Sequence, residues 1–158
     1  MKAEGQALDG LLDIMKTEQL AAGDLEQITL RFPKSGYKVI DNNAQRSDCA
    51  QYVLAPAAHR CRVDFYDILH DQRSDPSIRS LSERISVVGD DEMDRTYSDL
   101  YRSIVRVETR RGQAFERDVV HPKGSPERPV SEAELREVRI PNVRSLQRSS
   151  SQGDFRFG

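Results

Sequence analysis

IVRVETRRGQAFERDVVHPKGSPERPVSEAEL, residues 104–135, is the stretch from which the fold is read. Ile104, Val105 and Val107 open a β-branched run, Arg110-Arg111-Gly112-Gln113 makes a turn, and Ala114–Val120 is a second run. Gly112 has no Cβ and takes the positive φ of a tight turn without a clash. Val105, Val107 and Thr109 share one side, while Phe115, Asp118 and Val120 follow a weaker, interrupted pattern. Together they predict a β-hairpin. Beyond it, Pro122 and Pro126 remove donors and fix φ, so 121–126 is neither helix nor central strand. Ser131-Glu132-Ala133-Glu134 then reads as a capping box that opens a short helix.

Working outward, apolar residues at three- and four-residue spacing predict an amphipathic helix over 7–20, ended near Gly23 as a C′ residue. Ile28, Leu30 and Phe32 alternate with Gln27, Thr29 and Arg31, which predicts a half-buried strand ending at Pro33. Lys34-Ser35-Gly36 is a turn opening a loop that holds Tyr37 and Lys38. RSDCAQYVLAPAAH, residues 46–59, predicts a helix N-capped by Ser47, with Pro56 kinking or ending it. A helix-like pattern resumes over 63–70 with Phe65, Ile68 and Leu69 apolar. Asp75 as N-cap and Pro76 at the first position start another helix, and 85–88 is a short strand closed by Gly89. The fold class is therefore α+β, with strands near 25–32, 84–88, 102–109 and 114–120 in one antiparallel sheet and helices packed on one face.

Bulk properties bound the function. A chain of 158 residues with 37% hydrophobic and 32% charged content makes one domain with a modest core and a polar surface. The net charge of −2, with both signs interspersed, excludes nucleic-acid binding by bulk charge. Cys49, Cys61, His59 and His70 lack zinc spacing; the cysteines read as two reduced thiols in or near a core, and the histidines are scattered. The acidic set Asp90, Asp91, Glu92 and Asp94 has no EF-hand spacing and fits a helix N-terminus. No apolar run is long enough to span a membrane, and the N-terminal segment is not a signal peptide, so a cytoplasmic protein is expected.

Four stretches resemble the C-terminal part of the MmgE/PrpD family, which includes 2-methylcitrate dehydratases of propionate catabolism and aconitate decarboxylases. They are the hairpin with its Pro-Lys-Gly-Ser-Pro run, LEQITLRFPKSGYKVIDNN at 25–43, the Gln51-Tyr52 pair on its helix, and DPSIRSLSERISVVGDDEMD at 75–94. The resemblance covers Gln6–Leu135, and residues 142–158 are expected to form a divergent, disordered tail after a 1–141 domain. It departs at Arg60, where the family commonly has aspartate, and at Cys61, where a glycine is common and its loss should strain the turn.

The resemblance implies the smaller domain of a lyase acting on a citrate-like tricarboxylate without an iron–sulfur cluster or other cofactor. In the family a large helical domain supplies the acid, the base and most carboxylate contacts; it is expected to lie outside this chain, leaving the chain inactive alone. Tyr52 matches a tyrosine that reaches the active site, where a phenol protonates or hydrogen-bonds a substrate oxygen. The alternative is a ring in the core with its hydroxyl satisfied at the edge. Lys34 and Ser35 are candidate contacts to a substrate carboxylate, although exposed loop lysines are usually only solvated. Expected partners are a helical-domain chain or a second copy docked on an apolar face, with no nucleic acid or membrane. The competing reading is a non-catalytic remnant or stand-alone interaction module.

Overall fold

The computed structural model describes residues 2–45, 48–64, 67, 70–97, 102–121 and 123–133. Residues Met1–Arg128 form one compact unit and Pro129–Gly158 a second. In the second, Glu132 and Ala133 are helical, in keeping with the capping-box reading; the expected tail lies outside the described residues.

The first unit is α+β. It runs α1 (Lys2–Thr17), β1 (Leu25–Pro33), α2 (Tyr37–Ile40), α3 (Ala50–Arg60), α4 (Pro76–Ser82), β2 (Ile85–Asp90), α5 (Asp91–Arg95), β3 (Ser103–Thr109) and β4 (Ala114–Val119). The strands form one sheet in the order β2-β1-β3-β4. β1–β3 and β3–β4 are antiparallel, as expected. β2, however, runs parallel to β1, so the sheet is mixed and the all-antiparallel expectation is corrected. The cause is the connection. Helices α2, α3 and α4 separate β1 from β2 and return the chain to the end of the sheet at which β1 began. Alternation reports which face a residue takes, and both strand directions alternate alike.

Ile28 faces Ile85 and Val107, and Leu30 faces Val87 and Val105. These rows, with Ala7, Leu11 and Ile14 of α1 and Ala50, Leu54 and Ala58 of α3, make one buried cluster. The helix α1 approaches the hairpin closely at Gly10, where an added Cβ would lie 3.1 Å from Val119 and 3.2 Å from Val105. The other face carries Thr29, Arg31, Ser86, Arg106, Glu116 and Asp118, all partly or fully exposed. Several of its charges are paired: Arg106 with Glu108 at 2.9 Å, Arg102 with Asp118, and Arg31 with Asp90. Among the described residues the large hydrophobics left exposed are Val39, Val63 and Val88, too few for the broad apolar patch that was expected.

Element ends differ from the sequence reading in instructive ways. The first helix starts earlier and stops at Thr17; its left-handed closing residue is Gln19 (φ 54), with the Leu20 N–H donating to the Met15 carbonyl at 2.8 Å. Gly23 instead sits in a short 3₁₀ turn, Ala22–Asp24. The N-cap position of α3 is Cys49; Ser47, Phe65, Ile68 and Leu69 lie outside the described residues. Pro56 does not end α3, which continues to Arg60. A proline in a helix forfeits one bond, here to the Tyr52 carbonyl, and burial of Pro56 among the core helices offsets that loss. Asp75 caps α4 through the Ser77 N–H at 2.8 Å, as read, with Pro76 at the first position. Gly112 takes φ 79 in the hairpin turn.

Cys61 closes α3 in the left-handed region at φ 54 and ψ 28, and the Arg62 N–H donates to the Ala57 carbonyl at 3.1 Å. This is the turn in which the sequence reading expected strain. A non-glycine residue there costs roughly 1–2 kcal/mol. Cys61→Gly is therefore predicted to stabilise the chain by about 1 kcal/mol, seen as a higher urea midpoint with unchanged slope. An unchanged or lower midpoint would show that the cap stores no strain.

Candidate functional site

Gln51 and Tyr52 lie on the first turn of α3, both buried. The Gln51 amide joins three parts of the chain. Its Oε1 accepts the Asn42 N–H at 2.9 Å, and its Nε2 donates to Asp41 Oδ1 at 2.8 Å and to the Ile85 carbonyl at 3.3 Å. Asn42 is held in the left-handed region at φ 49. Cys49 is free and buried, with its Sγ 3.6 Å from Gln51 Oε1; Cys61 is free and exposed.

Tyr52 is 4% exposed, and its hydroxyl donates to the His70 carbonyl at 2.7 Å. The Arg73 guanidinium stands 5.7 Å from its ring centre. Asp71 grips that guanidinium with both oxygens, at 3.0 and 2.9 Å, and holds it more firmly protonated than usual. Between Tyr52, Arg73, Asn42 and Asn43 opens a cleft of about 210 Å³. Its lining mixes the Tyr52 ring, amides, the Arg73 cation already paired with Asp71, and the Glu83 carboxyl group.

Lys34 and Ser35 lie elsewhere. Lys34 Nζ donates to Asp91 Oδ1 at 2.7 Å, which raises its pKa. Ser35 donates both its N–H (3.0 Å) and its hydroxyl (2.5 Å) to Asp94 Oδ1, and these bonds lower the Asp94 pKa. Asp90 caps α5 through the Glu92 and Met93 N–H groups; those bonds, the Met93 one foremost, and Arg31 lower its pKa. The acidic set is thus a helix start, as read, and among the described residues no group of three His, Cys, Asp or Glu side chains is placed to hold a metal. The Lys34 N–H bonds the Asp90 carbonyl, whereas Gln51 bonds the Ile85 carbonyl, at opposite ends of β2. At ~3.3 Å per residue those ends are roughly 16 Å apart. The structure brings Gln51 and Tyr52 together with Arg73, and does not bring Lys34 and Ser35 to them.

Asp67 is the residue that the sequence reading missed. It is 5% exposed, with its Oδ2 2.9 Å from Arg60 Nε and its Oδ1 buried without a hydrogen-bond partner. It lines a small recess of about 10 Å³ with Tyr52, Val53, Pro56, Ala57 and Val63, the space of one water. The available signal was an aspartate set among Phe65, Ile68 and Leu69 in a stretch read as apolar. Burial pushes its pKa up, against the pull of Arg60 and with a further push from Asp64. An aspartate whose folded pKa is raised binds its proton more tightly folded than unfolded. Its stabilising effect is complete below the unfolded pKa and is lost as pH rises through the folded one. Asp67→Asn removes that dependence, so its melting temperature relative to the wild type is predicted to improve as pH rises above about 4, the unfolded carboxyl value. A relative loss over that rise would mean that the Arg60 attraction outweighs burial.

A family model described as MmgE/PrpD C-terminal domain matches residues 5–138. No curated protein matches the chain.

Proposed function

The chain belongs to the MmgE/PrpD family through its C-terminal domain, and from that premise we propose that it is the smaller, α+β domain of a lyase that acts with a helical domain on a citrate-like tricarboxylate. The observation that carries this reading is the family match over residues 5–138, which takes in the whole sheet and the helix bearing Gln51-Tyr52. On this reading the helical domain removes the proton α to a carboxylate and water leaves, while this domain closes the pocket. Tyr52 then offers its phenol to the developing enolate-like oxygen. Lys34 and Ser35, held by Asp91 and Asp94 at the other end of β2, lie too far from Tyr52 to meet the same small substrate. The reading calls for no cofactor.

A second reading, a non-catalytic interaction module, draws on a specific observation: the Tyr52 hydroxyl, Lys34 and Ser35 already have partners within the domain. Mixing separates the two. The purified chain, alone and with a helical domain taken from a member of the family, is given 2-methylcitrate, and the new C=C bond is followed by ultraviolet absorbance. The expected result is turnover in the mixture only, lowered roughly 10²-fold by Tyr52→Phe. Association without turnover in every mixture would put the non-catalytic reading first. In the isolated chain Tyr52→Phe loses one hydrogen bond, so denaturant titration should show a cost of about 1 kcal/mol.

A further inference from the structure

A groove of about 520 Å³ runs between the 3₁₀ turn Ala22–Asp24, the last turn of α3 and α4, and it shares no lining side chain with the cleft beside Tyr52. Arg84, which joins α4 to β2, is half-buried on its wall. Its Nε donates to the Ser80 carbonyl at 3.1 Å and its Nη1 to the Leu25 carbonyl at 2.5 Å. Two carbonyls on different elements fix the plane of the guanidinium and supply no countercharge. Among the described residues no carboxylate pairs with Arg84, and its Nη2 has no partner. The acids of the neighbouring elements are engaged elsewhere. Glu83 lines the other cleft, Glu26 stands 3.8 Å from Arg110, and Asp24 and Asp75 each give one oxygen to a backbone N–H at 2.8 Å. Among the described residues no acid lines the groove, whereas His59 and Ser80 do, from the α3 and α4 sides. Asp75 lies within electrostatic reach of His59, so Arg84 carries the charge of the groove and His59 adds a donor. Ala22, Pro76 and Leu81 are the apolar part of the lining. An arginine held in one plane presents its remaining N–H groups as a fixed fork, which matches phosphoryl oxygens. The three terminal oxygens of a phosphoryl group use donors arriving from two helices, while a carboxylate has only two oxygens in one plane. Small-molecule sites span roughly 300–1,000 Å³, so the groove has room for an organic group beside the anion.

We propose that this groove is a binding site for a small phosphomonoester. Arg84 anchors the phosphoryl group, His59 and Ser80 donate to its remaining oxygens, and the organic part lies along Ala22, Pro76 and Leu81. The site rests on none of the chemistry proposed for Tyr52, and its test reads no turnover.

The test is titration of the ¹⁵N-labelled 158-residue chain with phenyl phosphate, inorganic phosphate and acetate, each against chloride at matched ionic strength, followed by amide chemical shifts. Phenyl phosphate should give saturable shifts at Gly23, Ser80 and Arg84 that chloride does not reproduce. It should bind roughly threefold or more tighter than inorganic phosphate, because the ring buries apolar surface as well. Acetate should bind roughly tenfold or more weakly than phenyl phosphate, having fewer oxygens to offer. Arg84→Met should weaken phenyl phosphate roughly tenfold or more, the factor expected for losing one charged hydrogen bond. That variant also loses two carbonyl contacts, so Ser80→Asp and His59→Ala, both at exposed positions, test the groove with those contacts intact. Ser80→Asp sets a carboxylate one helical turn from Arg84 and should abolish saturation. His59→Ala should weaken binding roughly threefold or more. Absence of saturable shifts at the groove, shifts that chloride reproduces, acetate binding as tight as that of phenyl phosphate, no gain of phenyl phosphate over inorganic phosphate, or undiminished binding in Ser80→Asp would each overturn the proposal.

Discussion

The rest of the molecule depends on the register at Ile28 and Leu30. Each faces a buried aliphatic residue on both sides, Ile85 and Val107 for the first, Val87 and Val105 for the second. β1 is the strand that carries both pairings, and a slip of one residue would turn Ile28 and Leu30 to the polar face and bring Thr29 and Arg31 under the helices. The contacts of Gln51 and Lys34 with the sheet hang from this arrangement. Gln51 reaches the first carbonyl of β2, and the Lys34 N–H reaches the last one. The spacing of those two ends is therefore a property of the sheet rather than of the loops attached to it.

Much of this was legible in the chain because local periodicity and short-range chemistry encode it. The alternation around Ile28, the Gly112 turn and the Asp75-Pro76 helix start all need only near neighbours to be understood. What escaped the reading depends on partners far away in sequence. The direction of β2 is decided by three helices rather than by its own residues. Pro56 is tolerated because α3 is buried on neighbouring elements, which no local rule reports. Gln19 rather than Gly23 closes the first helix because the chain must already turn toward β1. At the site, Tyr52 was visible only through the family's Gln-Tyr pair, and the role of Asp67 was hidden because its partner, Arg60, lies on another element.

The corner after α3 shows how a departure from the family's pattern is absorbed. Arg60 and Cys61 are where the sequence reading expected a departure from the pattern it resembles. Cys61 adopts the glycine-type backbone conformation, and Arg60 finds a carboxylate in Asp67 and an amide in Gln72. The turn is preserved in shape while its chemistry is rewritten. A left-handed non-glycine residue and a buried carboxyl group are both retained in one small region, near Tyr52.

The hairpin strand β4 stands at the end of the sheet, and its three central charges, Glu116, Arg117 and Asp118, have a consequence for how the protein behaves in a crowd. A sheet border with free N–H and C=O groups is a template for fibrils. Were two copies to join border to border with their helices on the same side, Glu116 would stand opposite Glu116 or Asp118 of the other copy. Like charges directly opposed across strands repel. The alternating charges that make this strand a weak sequence signal thus also keep its border from seeding aggregates.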